Sequence, residues 1–211
     1  MAALGAIPLR SRGSLPARIL GWATALASGL MLGVAYALMT TALDRGAMEG
    51  GLGALAGIAG IAVVRSLVDP ANTFRLGTVH AIPEGVAIGV ATAVGMPFGL
   101  MMAAALGVHN IPEGTVTSNG LMQRGHRLFP ATLLAVAANV NQILFAVAAF
   151  MAVQAVPALL PWTLGFAVGA LIHLVFAELL PQSYREAGRT SIALVTIAAL
   201  AILVLVHDGA P

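Results

Sequence analysis

Two consecutive apolar stretches carry the clearest structural signal in this chain: LGTVHAIPEGVAIGVATAV at residues 76–94 and FGLMMAAALGVHNIPEGTVTSNGLM at residues 98–122. Each stretch is long enough to cross a bilayer as a helix, which takes roughly 17–25 residues. Each nevertheless contains a histidine and a glutamate, which are costly at membrane depth and mark functional sites there. The two stretches therefore predict membrane-spanning helices that carry a site.

The composition of the whole chain is that of an integral membrane protein. Of its 211 residues, 59% are hydrophobic and only 9% are charged. Soluble domains carry about 25% charged residues, and disordered chains are far less apolar, so both classes are excluded. The chain has no cysteine, which excludes disulfides and thiolate metal sites. The net charge is +2, but every basic residue is an arginine and none forms a run, so no nucleic-acid partner is expected.

Apolar stretches recur along the chain, separated by short connectors with turn-forming residues such as Asp69-Pro70 and Pro157. We expect an all-α, polytopic transmembrane bundle that forms a single domain over residues 1–211. The first apolar stretch is longer than the 7–15 residues of a signal-peptide core, which favours a retained helix over a signal peptide. The seven predicted spans cover about residues 19–40, 50–65, 76–94, 98–122, 131–153, 162–180 and 191–207.

The arginines indicate how these helices are oriented. With the N-terminus in the cytoplasm, only Arg45 falls outside, in agreement with the positive-inside rule. The arginines that fall inside are Arg10, Arg12, Arg18, Arg65, Arg75, Arg124, Arg127, Arg185 and Arg189. We therefore predict a cytoplasmic N-terminus.

The two polar stretches share a six-residue motif, HAIPEG at residues 80–85 and HNIPEG at residues 109–114. A histidine and a glutamate four positions apart lie on one face of a helix, so their side chains can converge. The proline between them has no N–H, which leaves the carbonyl four positions earlier without its helical partner. The glycine allows a neighbouring helix or an ion to approach closely.

The two motifs are predicted to meet inside the membrane. Their helices are antiparallel and joined near residues 95–97, and the motif centres lie about 12 and 13 residues from that end, or roughly 18 and 20 Å. His80, Glu84, His109 and Glu113 can then form a four-ligand cluster. Two imidazoles and two carboxylates suit Zn²⁺ and also Fe²⁺ or Mn²⁺, whereas Mg²⁺ prefers oxygen ligands. A proton relay or a pair of kinked helices without metal is the alternative.

Several further residues are weaker candidates. Met31 lies somewhat outside the level of the cluster, where packing is as reasonable as metal ligation. His173 and Glu178 on the sixth span are candidates for a path through the bundle, with core packing and an interfacial position as the alternatives. Gly53 and Gly57 form a small-xxx-small pair that is expected to pack on another helix, within the chain or across a homodimer.

The repeated motif resembles that of the ZIP (Zrt/Irt-like) divalent metal transporters, particularly the short bacterial branch. That family carries His-x-x-Pro-Glu-Gly on two consecutive central helices, and His80, Glu84, His109 and Glu113 match its transport site. Residues 28–32 are similar to the family's second helix, where a methionine (here Met31) can complete the site. Residues 165–181 are similar to its seventh helix.

The resemblance implies a membrane transporter that moves divalent transition-metal cations toward the cytoplasm. Zinc is the substrate expected first, with Fe²⁺, Mn²⁺ and Cd²⁺ as the other candidates. A bacterial inner (plasma) membrane is the location that the short bacterial branch implies.

The chain departs from the family in three places. The family usually has eight helices, and we expect the first to be missing here. Some members have a second metal site beside the first. Asn110 keeps one ligand position of that second site, but Ala81 has no ligand atom, and Gln142 stands where the family has a glutamate. We therefore expect one strong metal site, with Asn110 and Gln142 as weaker ligands. The cytoplasmic loop at about residues 66–75 has no histidine.

Three functions agree with these residues. The leading prediction is a carrier, not an enzyme, that binds its cation at the midplane on kinked helices. An intramembrane metal-dependent hydrolase would use the same ligands to activate water, but the sequence has no His-x-x-x-His pair and no separate acid–base dyad. The third function is that of a transport-inactive relative of the ZIP proteins.

Overall fold

The computed structural model describes residues 1–12, 14–69 and 72–209, and every regular element in them is helical. The predicted turn residue Pro70 and the side chain of Arg12 lie outside what is described. Short 3₁₀ turns at Ala2–Ala6 and Pro157–Leu159 and a π-helical turn at Val175–Leu179 accompany the α-helices. These are α1 (Ile7–Arg12), α2 (Ala17–Ser66), α3 (Thr73–Val94), α4 (Met96–Gln123), α5 (Leu128–Ala155), α6 (Leu160–Leu174), α7 (Leu180–Glu186) and α8 (Arg189–Asp208).

Helix α2 contains two of the predicted spans. Its 50 residues would extend about 75 Å as one straight helix, more than twice the thickness of a bilayer core. The backbone leaves the helical conformation at Gly46, with φ 163° and ψ 94°. A Cβ atom at Gly50 would lie 3.1 Å from the Cβ of Ala42, so the two arms of α2 fold against each other at this bend. The predicted connector between the first two spans is therefore a bend inside a helix.

The predicted fold class, an all-α membrane bundle, is confirmed. Among the described residues, five helices are long and apolar enough to cross a membrane. Helix α4 has 28 residues but is more polar and is not one of the five. All seven predicted segments lie within helices, and their crossing of the membrane stays a prediction. The five helices are Ala17–Ser66, Phe74–Val94, Leu128–Ala155, Pro157–Glu186 and Arg189–Asp208.

Glycines on both sides bring the second arm of α2 (residues 47–66) into close contact with α6. A Cβ atom at Gly53 or Gly57 would collide with the backbone of α6, and one at Gly165 or Gly169 would collide with the backbone of that arm. Small residues permit such close packing between membrane helices. The Gly53–Gly57 pair thus packs within the chain, which is the first of its two predicted roles.

The two motif helices, α3 and α4, pack closely on their neighbours in the same way. Gly85 and Gly89 of α3 lie against the backbone of α5. Gly114 of α4 lies against the backbone of Ala2 in the N-terminal 3₁₀ turn. The motif glycines Gly85 and Gly114 therefore allow close approach of a neighbouring segment, as the motif predicts.

Candidate metal centre

Three of the four predicted ligands come together in the bundle. Glu84, His109 and Glu113 each offer a ligand atom, and these atoms lie within 4.8 Å of one another. Glu84 is 0% and His109 1% exposed, whereas Glu113 is half-buried. The Nε2 atom of His109 lies 3.1 Å from Oε1 of Glu84. The cluster combines a carboxylate from α3 with the i, i+4 pair of α4, so both copies of the motif contribute to it.

A contact from a third helix orients the imidazole of His109. Its Nδ1 atom lies 3.1 Å from the backbone carbonyl oxygen of Ala27 in α2. A carbonyl oxygen only accepts hydrogen bonds, so Nδ1 carries the proton and donates it to Ala27. In the neutral ring Nε2 then has a free lone pair, which faces the two carboxylates. This arrangement is typical of histidines that bind metals, whose second nitrogen is held by a carbonyl or a carboxylate.

The ligand atoms of the cluster lack hydrogen-bond partners. Among the described residues, Glu84 Oε1, His109 Nε2 and Glu113 Oε2 are buried and unpartnered. An unpartnered buried polar atom costs about 1–3 kcal/mol, and more when it is charged. A divalent cation would contact all three residues and neutralise two carboxylates at once. The donor set, one imidazole and two carboxylates, is also one that zinc accepts.

His80, the fourth predicted ligand, is not part of this three-residue group. It is half-buried, and its Nδ1 atom lies 3.1 Å from the carbonyl oxygen of Leu76. By the same reasoning as for His109, its Nε2 atom is left with a free lone pair. His80, His109 and Glu113 line one cavity of about 200 Å³. The structure thus places His80 on the wall of the cavity that adjoins the cluster.

The cavity extends from the cluster toward the end of the bundle that holds Arg65. Its far wall includes Glu178, Leu179 and Gln182, where the π-helical turn leads into α7. The Nε atom of Arg65 donates a hydrogen bond of 2.9 Å to Oε1 of Glu178. The predicted pathway residue Glu178 therefore lines the cavity, whereas His173 is not among the lining residues.

The weaker predicted ligands have other partners. Gln142 donates a hydrogen bond to Oε2 of Glu84, and Asn110 donates one to Oε1 of Gln142, each at 3.1 Å. Met31 is fully buried in the hydrophobic core of the bundle and is not among the residues that line the cavity.

Two contacts of the site were not predicted from the sequence. The partner of His109 is the backbone carbonyl of Ala27, which no side-chain motif can reveal. The partner of Glu178 is Arg65, which stands at the very end of a predicted apolar span. Arginines are common at the ends of membrane helices, so the sequence alone offers no reason to pair Arg65 with Glu178.

Comparison with known proteins reveals three relatives with zinc-transporter names. The chain is 39% identical over 118 residues to one from Arabidopsis thaliana, which is 55% of this chain and 19% of that protein. It is 38% identical over 109 residues to the zinc transporter GufA of Myxococcus xanthus, 51% of this chain and 43% of that protein. It is 27% identical over 131 residues to the zinc transporter ZIPB of Bordetella bronchiseptica, 62% of this chain and 42% of that protein.

The chain spans less than half the length of each of these relatives. No family model matches it. The three similarities nevertheless confirm the resemblance to zinc transporters of the ZIP family that the repeated motif indicates.

Proposed function

We propose that this protein carries a divalent cation, zinc foremost, across the membrane through the site formed by Glu84, His109 and Glu113. The observation that carries the proposal is the group of three ligand atoms, buried and without hydrogen-bond partners, inside a helical membrane bundle. The zinc-transporter names of the three relatives agree with zinc as the substrate.

The ligand set suits a site that must release its ion. Structural zinc sites are closed by four protein ligands, whereas sites that exchange a ligand keep one position open. The three clustered residues leave a fourth position, which His80 or a water molecule can fill from the cavity side. Conduction requires binding that is strong enough to capture the ion and weak enough to let it leave. We therefore propose that His80 binds the ion while it passes between the cluster and the cavity.

The packing around the site is that of a conformation open on one side. In the orientation predicted from the arginines, the cavity lined by His80, Glu113 and Glu178 faces the cytoplasmic side. Toward the other side of the membrane, Val90 and Met102 are 0% exposed and belong to the hydrophobic core. This conformation is then the one that releases the ion inward. Alternating access requires a second conformation in which the core opens and the cavity closes.

Zinc uptake into liposomes tests the proposal. The full chain is reconstituted into vesicles that contain a zinc-sensitive dye. We expect wild-type vesicles to accumulate zinc and Glu113→Ala vesicles to lose uptake, because the substitution removes one ligand and half of the neutralising charge. His126→Ala is the matched control, since this histidine is exposed in the turn after α4. Wild-type vesicles that take up no more zinc than empty ones would overturn the proposal.

A further inference from the structure

We infer that Gln142 and Asn110 form a relay of two amides that positions the Glu84 carboxylate and limits the site to one cation. The inference rests on the proposed function and gives both residues a role other than that of ligand. Gln142 lies on α5 and Asn110 on α4, next to His109. Both are 7% exposed, so their amide groups are held by protein contacts and not by bulk water.

The chemistry of the groups fixes the direction of both hydrogen bonds. An ionised carboxylate only accepts hydrogen bonds, so Gln142 must turn its NH₂ group toward Oε2 of Glu84. The carbonyl oxygen of Gln142 then faces Asn110, which must in turn present its own NH₂ group. The order Asn110, Gln142, Glu84 is therefore the one arrangement in which both hydrogen bonds of the relay join a donor to an acceptor.

The relay gives the two oxygens of Glu84 separate tasks. Oε2 accepts the hydrogen bond from Gln142, whereas Oε1 has no hydrogen-bond partner and faces Nε2 of His109. A carboxylate commonly bridges two cations by giving one oxygen to each. A second cation on Oε2 of Glu84 would have to compete with the N–H group of Gln142, whereas Oε1 is free to bind the first ion.

The charges in the site lead to the same limit. The two clustered carboxylates, Glu84 and Glu113, neutralise one divalent cation. A second cation beside the first would leave two positive charges uncompensated in a medium of low dielectric constant, where isolated charges are costly. The carbonyl oxygen of Gln142 is occupied by Asn110. Oδ1 of Asn110 is unpartnered, but it is a single neutral oxygen and cannot replace the missing charge.

The first variant, Gln142→Glu, tests the limit to one cation. It replaces the N–H donor by a third carboxylate that faces Glu84, and two facing carboxylates repel unless a cation lies between them. We expect one zinc ion per wild-type chain and two per Gln142→Glu chain. The measurement is metal analysis after equilibrium dialysis of the full chain in detergent. Two zinc ions in the wild type, or one in Gln142→Glu, would overturn the limit.

The second variant, Gln142→Met, tests positioning. Methionine has a similar length but no N–H donor, so Glu84 loses the contact that orients it. Loss of an outer partner of a metal ligand lowers metal affinity by about 10–100-fold, and we expect a loss in that range with one zinc ion still bound. Asn110→Ala removes the other end of the relay and should cause a smaller loss. Should Gln142→Met fail to fold, Asn110→Ala tests the positioning of Glu84 and Gln142→Glu tests the limit to one cation.

A control on the same helix separates the relay from a general effect on α5. Asn141 is the neighbour of Gln142, but its amide donates to Oγ1 of Thr78 and not to Glu84. Asn141→Asp makes the same amide-to-carboxylate change and should keep one zinc ion at wild-type affinity. Wild-type affinity in both Gln142→Met and Asn110→Ala would overturn the relay. A wild-type chain that binds no zinc would overturn the proposed function itself, which keeps the two failures distinct.

Discussion

The two histidines of the repeated motif share their sequence surroundings but differ in their contacts. His109 is fixed by a carbonyl of another helix and faces two carboxylates. His80 is fixed by Leu76 of its own helix and lines the cavity outside the cluster. At the scale of single residues the site is therefore asymmetric, although the motif that encodes it is repeated almost without change.

This asymmetry predicts unequal effects of the two alanine variants on zinc affinity. His109→Ala removes a clustered ligand and should weaken zinc binding by more than about 100-fold, whereas His80→Ala removes a residue beside the cluster and should weaken it about 10-fold, because outer partners of metal ligands contribute about 10–100-fold. Titration calorimetry of the full chain in detergent measures both. Equal losses would contradict the asymmetry, and unchanged affinity in both variants would remove the case for histidine ligands.

The sequence predicts the convergence of His109 and Glu113 because helical spacing is a local property. His109 and Glu113 are four positions apart, which places them on one helix face whatever surrounds that helix. The role of Gln142 could not be predicted, because it depends on how α5 is rotated about its axis. That rotation is set by the close contact of α5 with Gly85 and Gly89, which is a property of tertiary packing.

At the scale of whole elements, contacts between glycines and backbone position the helices that carry the site. Gly89 lies against the backbone of Ala146 in α5, whereas a Cβ atom at Gly51 would meet nothing within 4 Å. The two positions therefore differ in packing although both are helical glycines.

We predict opposite effects of alanine at these two glycines on thermal stability. Gly89→Ala should destabilise the protein by about 1–3 kcal/mol, the usual cost of overpacking. Gly51→Ala should stabilise it by roughly 0.5–1 kcal/mol, because alanine has the higher helix propensity. Thermal unfolding of both variants in one detergent gives the comparison. A melting temperature of Gly89→Ala at or above the wild-type value would contradict the packing argument.

The ion pair between Arg65 and Glu178 predicts a kinetic effect on transport. Glu178→Gln removes the negative charge from the cavity wall and leaves Arg65 uncompensated, so a divalent cation that passes is repelled. We expect zinc uptake to slow by about ten-fold, the lower end of what charged clefts contribute to association rates. Zinc affinity of the cluster should stay unchanged.

The double variant Glu178→Gln/Arg65→Gln tests this electrostatic explanation, because it removes the uncompensated positive charge as well. Its uptake should exceed that of Glu178→Gln alone. Equal uptake by the single and double variants would refute the electrostatic cause, since repulsion by Arg65 would then have no effect on the rate.

Element boundaries were less predictable than the elements themselves. Residues 41–49 join the first two predicted spans, yet they are helical on both sides of a bend at Gly46. Hydropathy detects the apolar part of a helix and not its polar continuation outside the membrane. Residues such as Leu43, Arg45 and Glu49 are good helix formers, so the helix extends through a segment whose polarity predicts a loop.

At the scale of the whole molecule, the bend at Gly46 lies between the first two predicted spans, so the predicted topology can be tested on its two sides. The chain has no cysteine, so single cysteines can be introduced as reporters of which side of the membrane a residue faces. Met48 follows the bend and is 73% exposed, and His126 is exposed between α4 and α5.

We predict that a membrane-impermeant maleimide labels Met48→Cys in intact cells and labels His126→Cys only after the membrane is permeabilised. Seven spans with a cytoplasmic N-terminus place the two positions on opposite sides. Labelling with the reverse pattern would invert the orientation. Labelling of both from the same side would show that the bend at Gly46 does not separate two spans.

The hydrogen bond from His109 to the carbonyl of Ala27 tethers the ring to a helix other than its own. Any sliding of α4 along α2 must stretch or break this tether. A hydrogen bond of this kind contributes about 0.5–1.5 kcal/mol, little enough for thermal motion to break it in every cycle. Once it is broken, the Ala27 carbonyl no longer holds the proton on Nδ1, and the ring can turn its lone pair away from a bound ion. In the proposed transport cycle, helix sliding would thereby also loosen the bound cation.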